Sequence, residues 1–260
     1  MLSIDEIEKY YNLGNLKERK RNLLQEYLQY KILQIIFSSD YASRLIFIGG
    51  TALRIVYSNT RFSEDLDFDN FDLSFEDFEK LGNVIKNSLE LEGSKVEIRT
   101  IEKGAFHCYI KIPEILITNK ITTNKFEKID IHIDTVREDF KYIADTKLIN
   151  KFDVFTNIKV ASLDILLSKK INAIFGRKAA KGRDFYDFTF VHSQVLPNYE
   201  YLRFKLNIHN VKELKTQLLE KIDTLNFKEL VKDVNPFLFN PNDINRVLLF
   251  KDYIDNNLLQ

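Results

Sequence analysis

Two short groups of residues, a glycine pair and an aspartate pair, are spaced in a way that suits metal-dependent transfer of a nucleotide. Gly49 and Gly50 follow an apolar run, and Asp65 and Asp67 come about fifteen residues later. Backbone N–H groups at a helix start can hold phosphate. Carboxylates two positions apart share one face of a strand, and Mg²⁺ commonly binds one or two carboxylates together with substrate phosphates. The pattern predicts a phosphate-binding turn beside a magnesium site.

Each group also has an ordinary explanation. A glycine pair after a strand is most often only a turn, and Asp-x-Asp is often two solvated residues on an exposed sheet face. It is the combination of the two at this spacing that favours a functional site.

The apolar pattern predicts the elements that must position these residues. Residues 45–48 predict a buried strand, Gly49 to Thr51 a turn, and residues 51–57 a helix. A second strand holds Asp65 and Asp67, with the alternate positions pointing into a core. Further helices are predicted over residues 18–39 and 74–91, and further strands over 95–101, 106–112 and 128–133.

The last of these strands carries two more aspartates. Its isoleucines alternate with Asp130, His132 and Asp134, so the three polar side chains share the outer face. Either aspartate could supply a third carboxylate. The alternative is a half-exposed strand whose outer residues are simply polar.

A second segment of interest predicts two helices joined by a basic turn at residues 176–183. Lys170 lies on the first helix, and Arg183, Asp184 and Asp187 lie on the second. The ordinary explanation is a solvated lysine and an ion pair between Arg183 and Asp187, four residues apart.

The glycine pair, short helix and Asp-x-Asp together resemble the nucleotidyltransferase superfamily built on a polymerase-β-like core. More narrowly, residues 49–54 and 61–68 are similar to the AbiEii-type toxin family of bacterial toxin–antitoxin and abortive-infection systems. That family also has a helix lysine, a basic loop and an Arg-Asp-x-x-Asp motif, which match Lys170 and residues 183–187. The resemblance covers roughly residues 20–195.

The resemblance implies an α+β fold. A nucleotidyltransferase core with a mixed sheet flanked by helices is expected over residues 1–155. A mostly helical domain, expected over residues 156–260, would complete the active-site cleft.

The resemblance also implies a metal-dependent nucleotidyltransferase. The enzyme would transfer a nucleoside monophosphate from a nucleoside triphosphate to an acceptor hydroxyl. An RNA such as the 3′ end of a tRNA is the expected acceptor, and the protein would act as a type IV-like toxin restrained by a cognate antitoxin protein. Mg²⁺, or Mn²⁺ in its place, is the expected cofactor.

Carried over residue by residue, the family pattern assigns roles within this chain. Asp65, Asp67 and Asp130 would hold metal, and Asp130 is preferred to Asp134 because the family places an acidic residue near the start of that strand. Lys170 would neutralise triphosphate charge, and Asp187 would orient this lysine or act as a base; the division of roles between Asp184 and Asp187 stays open. The expected phosphate or nucleotide contacts are Gly49, Gly50, Thr51, Arg54, Arg61, Ser63 and Arg183.

Two other functions fit the same fold. One is an inactive module that binds a nucleotide or a partner protein, although a module without chemistry has no need of both carboxylates. The other is a transferase that modifies a protein or a small molecule. The sequence leaves the nucleotide and the acceptor open.

Composition agrees with a globular enzyme. The 260 residues are 45% hydrophobic, and 38 basic residues balance 38 acidic ones, so contact with nucleic acid would need local clusters such as residues 17–21 and 177–183. The single cysteine, Cys108, excludes an intramolecular disulfide. Without a basic leader or an eighteen-residue apolar run, we expect a cytoplasmic protein with no membrane partner.

Overall fold

The computed structural model describes residues 1–12, 14 and 18–257. Within them the chain forms seven strands and twelve α-helices, which confirms the α+β class. It divides into two compact units. Unit 1 comprises Met1–Tyr57 and Phe62–Val160, and unit 2 comprises Ser58–Arg61 and Ala161–Gln260. The expected boundary after residue 155 falls inside the last strand.

Unit 1 contains the whole sheet, in the order β3-β4-β5-β2-β1-β7-β6. The pairs β2–β5 and β1–β7 are parallel and the others antiparallel, so the sheet is mixed, as predicted. The strands are β1 Leu45–Ile48, β2 Leu66–Asn70, β3 Glu97–Glu102, β4 Phe106–Pro113, β5 Lys128–Arg137, β6 Asp145–Lys151 and β7 Val154–Val160.

The helices of unit 1 are α1 Ile4–Glu8, α2 Lys20–Phe37, α3 Gly49–Tyr57, α4 Phe75–Leu91 and α5 Ile115–Thr118. Helix α4 begins after Ser74, whose hydroxyl accepts the Asp77 N–H at 3.1 Å. Helices α2 and α4 pack on one face of the sheet. A Cβ at Gly82 of α4 would lie 3.7 Å from the Sγ of Cys108, so α4 approaches β4 closely. The other face of the sheet carries the polar side chains.

The apolar pattern does not predict the hairpin formed by β6 and β7. Leu148 and Ile149 are adjacent apolar residues in β6, and this breaks the period-two pattern that marks a half-buried strand. In the structure Ile149 is buried while Leu148 is 54% exposed. Ile149 is the only buried residue of β6, so neither face of this strand needs a row of apolar side chains.

Unit 2 is helical, as expected: α6 Leu163–Gly176, α7 Gly182–His192, α8 Tyr199–Leu206, α9 Val211–Ile222, α10 Phe227–Val234, α11 Asn245–Leu248 and α12 Phe250–Asn257. Its core includes the rings of Phe185, Phe188 and Phe250, which pack edge to face. Helix α7 starts tightly against α10, since a Cβ at Gly182 would lie 2.8 Å from the carbonyl carbon of Leu230.

A four-residue segment between α3 and β2 belongs to unit 2. The Thr60 carbonyl accepts the Phe239 N–H at 3.0 Å, and Arg61 forms an isolated antiparallel bridge with Leu238. Sequence analysis assigned this segment to the first domain, because only contacts distant in sequence reveal where it packs.

Candidate active site

The glycine turn and Asp67 lie against each other. Ile48, the last residue of β1, is the register partner of Asp67 on β2. Gly49 follows with φ +80°, and a Cβ there would lie 2.9 Å from both Cβ and Cγ of Asp67. Both the left-handed backbone and the lack of space require glycine at this position. The Asp67 side chain therefore lies directly over the first turn of α3.

The backbone at Asp65 is fixed by hydrogen bonds from two helices. The hydroxyl of Thr51, which is fully buried, donates to the Asp65 carbonyl. From α2, the Nε2 atoms of Gln25 and Gln29 donate to the Glu64 carbonyl at 3.3 and 2.8 Å. The Asp65 side chain remains 40% exposed. These contacts hold a half-exposed carboxylate beside the glycine turn.

The structure indicates which groups of the glycine turn are available to bind a phosphate. Since the Thr51 hydroxyl serves the Asp65 carbonyl, the group of Thr51 left for a phosphate is its backbone N–H. The first N–H groups of a helix have no acceptor within the helix, which suits Gly49, Gly50 and Thr51 to an anion. The carbonyl of Ser63 accepts Gln29 Nε2 at 2.9 Å, and a phosphate contact of the Ser63 hydroxyl stays a prediction.

Two histidines accompany the carboxylates. The Nδ1 atom of His132, on β5, lies 3.4 Å from Oδ1 of Asp65, and the Nδ1 atom of His107, on β4, lies 2.7 Å from Oδ1 of Asp134. Sequence analysis gave neither histidine a role. The alternation along β5 placed His132 on the outer face, but the partner of His107 follows only from the register of β4 with β5.

The register of β2 with β5 corrects the choice of a third carboxylate. Asp134 is the direct neighbour of Asp67 in this parallel pair. The pairing begins at Leu66 with Ile133, so Asp130 lies before it, four residues or roughly 13 Å along β5 from Asp134. Asp134 therefore replaces Asp130 as the candidate.

The atoms that could bind a metal ion on this face of the sheet are mainly carboxylate oxygens. Among the residues that the structure describes, no group of three or more histidine, cysteine or acidic side chains is arranged to hold a metal ion by itself. Mg²⁺ rarely uses an all-protein cage and commonly combines one or two carboxylates with substrate phosphates. The side chains of Asp65 and Asp67 fit that mode of binding.

In unit 2, the residues of the second motif form a buried ionic network. Arg61 Nε and Nη2 donate to the two oxygens of Asp187 at 2.7 and 2.6 Å. Lys170 Nζ lies 2.8 Å from Asp187 and 3.3 Å from Asp184. Asn59 Nδ2 adds a hydrogen bond of 2.9 Å to Asp187. Asp187 is fully buried, whereas the Lys170 side chain is 14% exposed.

The charges of this network hold one another ionised. Burial alone would raise the pKa of the Asp187 carboxyl, but Arg61 and Lys170 outweigh burial and keep that pKa well below its ordinary value. Burial alone would lower the pKa of the Lys170 ammonium, but Asp187 and Asp184 outweigh it and raise that pKa. A carboxylate with a depressed pKa and both oxygens engaged is a poor base. Of its two predicted roles, Asp187 fits orientation of Lys170.

Two predicted contacts of this motif need correction. Arg61 is 2% exposed and bound to Asp187, so it cannot also compensate the charge of a phosphate. The ion pair considered between Arg183 and Asp187 is replaced by the Arg61 pair. The Arg183 guanidinium lies 5.4 Å from the ring centre of Phe237, and its expected phosphate contact stays a prediction.

Arg54 also differs from its predicted role. Its Nε lies 2.8 Å from Oε2 of Glu26, which is 2% exposed, and Lys151 Nζ lies 2.9 Å from Oε1 of the same carboxylate. Burial alone would raise the pKa of Glu26, but Arg54 and Lys151 outweigh it and lower that pKa. Arg54 therefore compensates a buried glutamate in unit 1 instead of a phosphate.

The local basic clusters are partly neutralised. Lys17 lies outside the described residues, Lys20 pairs with Glu8 at 2.8 Å, and Arg177 Nε lies 2.8 Å from Asp184. In addition, no helix in the described part of the chain is both long and apolar enough to span a membrane.

Comparison with known proteins identifies the family. The sequence profile described as nucleotidyl transferase AbiEii toxin, Type IV TA system, matches residues 31–248. The chain belongs to this AbiEii nucleotidyl transferase family.

Solved structures agree on the fold. JHP933 from Helicobacter pylori is 18% identical, with a TM-score of 0.55 over 92% of this chain and 94% of the other. A protein described as a candidate nucleotidyltransferase from H. pylori is also 18% identical, with a TM-score of 0.56 over 92% and 96% of the two chains. None of the curated proteins compared with this chain matches it.

Proposed function

We propose that the protein transfers a nucleoside monophosphate from a nucleoside triphosphate to the terminal hydroxyl of an RNA. The observation that carries this proposal is the packing of Asp67 over the Gly49 turn. Phosphate-binding N–H groups and a carboxylate are thereby brought together, and Asp65 is held beside them by Thr51. Membership of the AbiEii family supports nucleotide transfer as the reaction class.

The residues of unit 1 would have distinct roles in this reaction. The first N–H groups of α3 bind a phosphate of the donor nucleotide. Asp65 and Asp67 would hold Mg²⁺ or Mn²⁺ together with the donor phosphates, and Asp134, the register neighbour of Asp67, would be the third carboxylate beside them. When bound, the metal would neutralise triphosphate charge and stabilise the departing pyrophosphate. His132 and His107 orient two of these carboxylates through their contacts with Asp65 and Asp134.

Lys170 would contribute positive charge for the triphosphate. Its ammonium is partly exposed, and Asp187 and Asp184 hold it in place and keep it protonated. Asp187 would thus act on the reaction only by positioning Lys170.

The biological role that we propose is that of a toxin. Modifying the 3′ end of a tRNA would block its charging and stop growth, and a cognate antitoxin protein would relieve the block. The description of the family as a type IV toxin–antitoxin system supports this role.

The test is a transfer assay with the purified full chain. The protein is incubated with Mg²⁺ and each labelled nucleoside triphosphate in turn, with total tRNA or a protein extract as acceptor. We expect label on RNA with the wild type and none with the Asp65→Ala, Asp67→Ala double variant. A matched control is Asp139→Ala, Asp223→Ala, which removes the same charge from aspartates that are 72% and 69% exposed.

The other outcomes separate the alternatives. Label on protein, with none on RNA, would keep the reaction and change the acceptor. Triphosphate binding without transfer to any acceptor would favour the inactive binding module. Transfer by the double variant equal to that of the wild type would remove the proposed role of Asp65 and Asp67.

A further inference from the structure

Beyond the carboxylates, the polar face of the sheet in unit 1 carries a row of ring side chains. The register pairs His132 of β5 with Tyr109 of β4, and Tyr109 with Arg99 of β3. The ring centres of Tyr109 and His132 are 4.8 Å apart, and those of His107 and Tyr109 are 6.4 Å apart, with their planes inclined at 29°. Because His132 also contacts Asp65, the row runs without a gap from a carboxylate toward the edge of the sheet.

Cations lie at the outer end of this row. Arg99, Tyr109 and Lys111 line a concavity of about 480 Å³ together with Glu97, Ile98 and Ile101. Among the described residues, neither Arg99 nor Lys111 has an ion-pair partner. Glu97, the register neighbour of Lys111, lies 3.5 Å from Lys128 Nζ.

The spacing of the strands decides which phosphates these cations could meet. Adjacent strands lie about 4.8 Å apart, so Tyr109 on β4 is roughly 10 Å and Arg99 on β3 roughly 14 Å from β2, which begins directly after Asp65. Under the proposed function, the phosphates of the donor lie at the carboxylates and the α3 turn. Cations two and three strands from β2, Lys111 on β4 and Arg99 on β3, suit a longer molecule with phosphates along its length.

We propose that Arg99, Tyr109, Lys111 and His132, the acceptor strip, bind the single-stranded 3′ end of the RNA acceptor. A base stacks on the Tyr109 ring, and Arg99 and Lys111 bind backbone phosphates. This combination of an aromatic platform and flanking cations is the usual recognition of single strands. The inference rests on the proposed function, which supplies RNA as the acceptor.

The test measures RNA binding apart from catalysis. A fluorescein-labelled single-stranded RNA of mixed sequence is titrated with the full chain in EDTA without nucleotide, and its anisotropy is followed. We expect Tyr109→Ala to weaken binding about ten-fold and Tyr109→Phe to retain binding, because base stacking needs the ring and not the hydroxyl.

A second variant tests the cations. Arg99→Ala, Lys111→Ala changes two partly exposed side chains and should lower the slope of log affinity against log salt by about 1.4, or about 0.7 for each phosphate contact on a single strand. The matched control is Lys80→Ala, Lys86→Ala on α4, where both lysines are exposed. Circular dichroism confirms that each variant is folded.

The outcomes separate this inference from the proposed function. The Asp65→Ala, Asp67→Ala protein should lose transfer activity and still bind RNA. The acceptor-strip variants should instead lose RNA affinity, so the two failures can be told apart. If Tyr109→Ala raises the KM for the nucleotide and leaves RNA affinity unchanged, the ring binds the base of the donor and the inference is overturned. Equal RNA affinity for the wild type and both strip variants would also overturn it.

Discussion

The carboxylates on the polar face of the sheet in unit 1 and the ionic network around Asp187 in unit 2 differ sharply in burial. In unit 1, the side chains of Asp65 and Asp134 are 40% and 35% exposed, and each contacts one histidine. In unit 2, Asp187 is fully buried and receives hydrogen bonds from Arg61, Asn59 and Lys170.

The difference indicates how the same side-chain type serves two purposes. A half-exposed carboxylate presents oxygen atoms at the protein surface, where a metal ion or substrate can reach them. A buried carboxylate must have its charge and hydrogen bonds satisfied within the protein, since an unpaired buried charge is very costly. Asp65 and Asp134 therefore fit ligand binding, and Asp187 fits positioning.

The largest expected effect is on stability, in the buried network. Asp187→Ala leaves Arg61, which is 2% exposed, without its bidentate partner. Breaking a buried pair in this way should lower the free energy of unfolding by about 3–5 kcal/mol. Denaturant unfolding of the full chain measures the change. Asp223→Ala is the control, because Asp223 forms an exposed pair with Lys251 and its loss should cost less than about 1 kcal/mol. Equal effects of the two substitutions would contradict a structural role for Asp187.

The same network predicts a dependence on pH. The pKa of Asp187 is lowered in the folded protein, so its stabilising contribution is fully present above the ordinary carboxyl pKa of about 3.9. That contribution is lost as the pH falls through the lower folded value. The free energy of unfolding should therefore decrease below about pH 4 more steeply for the wild type than for Asp187→Asn.

A smaller effect, on activity, is expected from the register of the sheet. Asp134 neighbours Asp67, whereas Asp130 lies outside the pairing with β2. We expect Asp134→Asn to lower kcat/KM about a hundred-fold, equal to about 2.7 kcal/mol, and Asp130→Asn to leave it nearly unchanged. Steady-state kinetics over a range of Mg²⁺ concentrations measure both. A greater loss with Asp130→Asn would restore the family-based choice.

How much of the structure the sequence predicts depends on how far apart along the chain the contacting residues lie. Local patterns were sufficient for α2, β1 and the strand carrying Asp67, because the spacing of apolar residues and glycines is itself local. The partners of Arg61 and Arg54 were predicted wrongly, since Asp187 and Glu26 are far from them along the chain. The choice between Asp130 and Asp134 likewise needed the register of two strands.

The smallest effect that we predict comes from a comparison of two glycine variants. The comparison distinguishes backbone strain from displacement of the Asp67 carboxylate. Gly49 and Gly93 have similar positive φ values, +80° and +90°, but a Cβ at Gly49 would meet Asp67, whereas one at Gly93 has nothing within 4 Å. Both alanine variants should lose about 1–2 kcal/mol of stability from the left-handed backbone, and Gly49→Ala should lose more, because its Cβ must displace Asp67. Only Gly49→Ala should also lower kcat/KM, by at least about ten-fold, because a carboxylate moved by about an ångström no longer fits the reacting groups. Measuring stability and transfer on both variants isolates the second effect. Equal transfer activity in the two variants would mean that the position of Asp67 against the turn does not matter for the reaction.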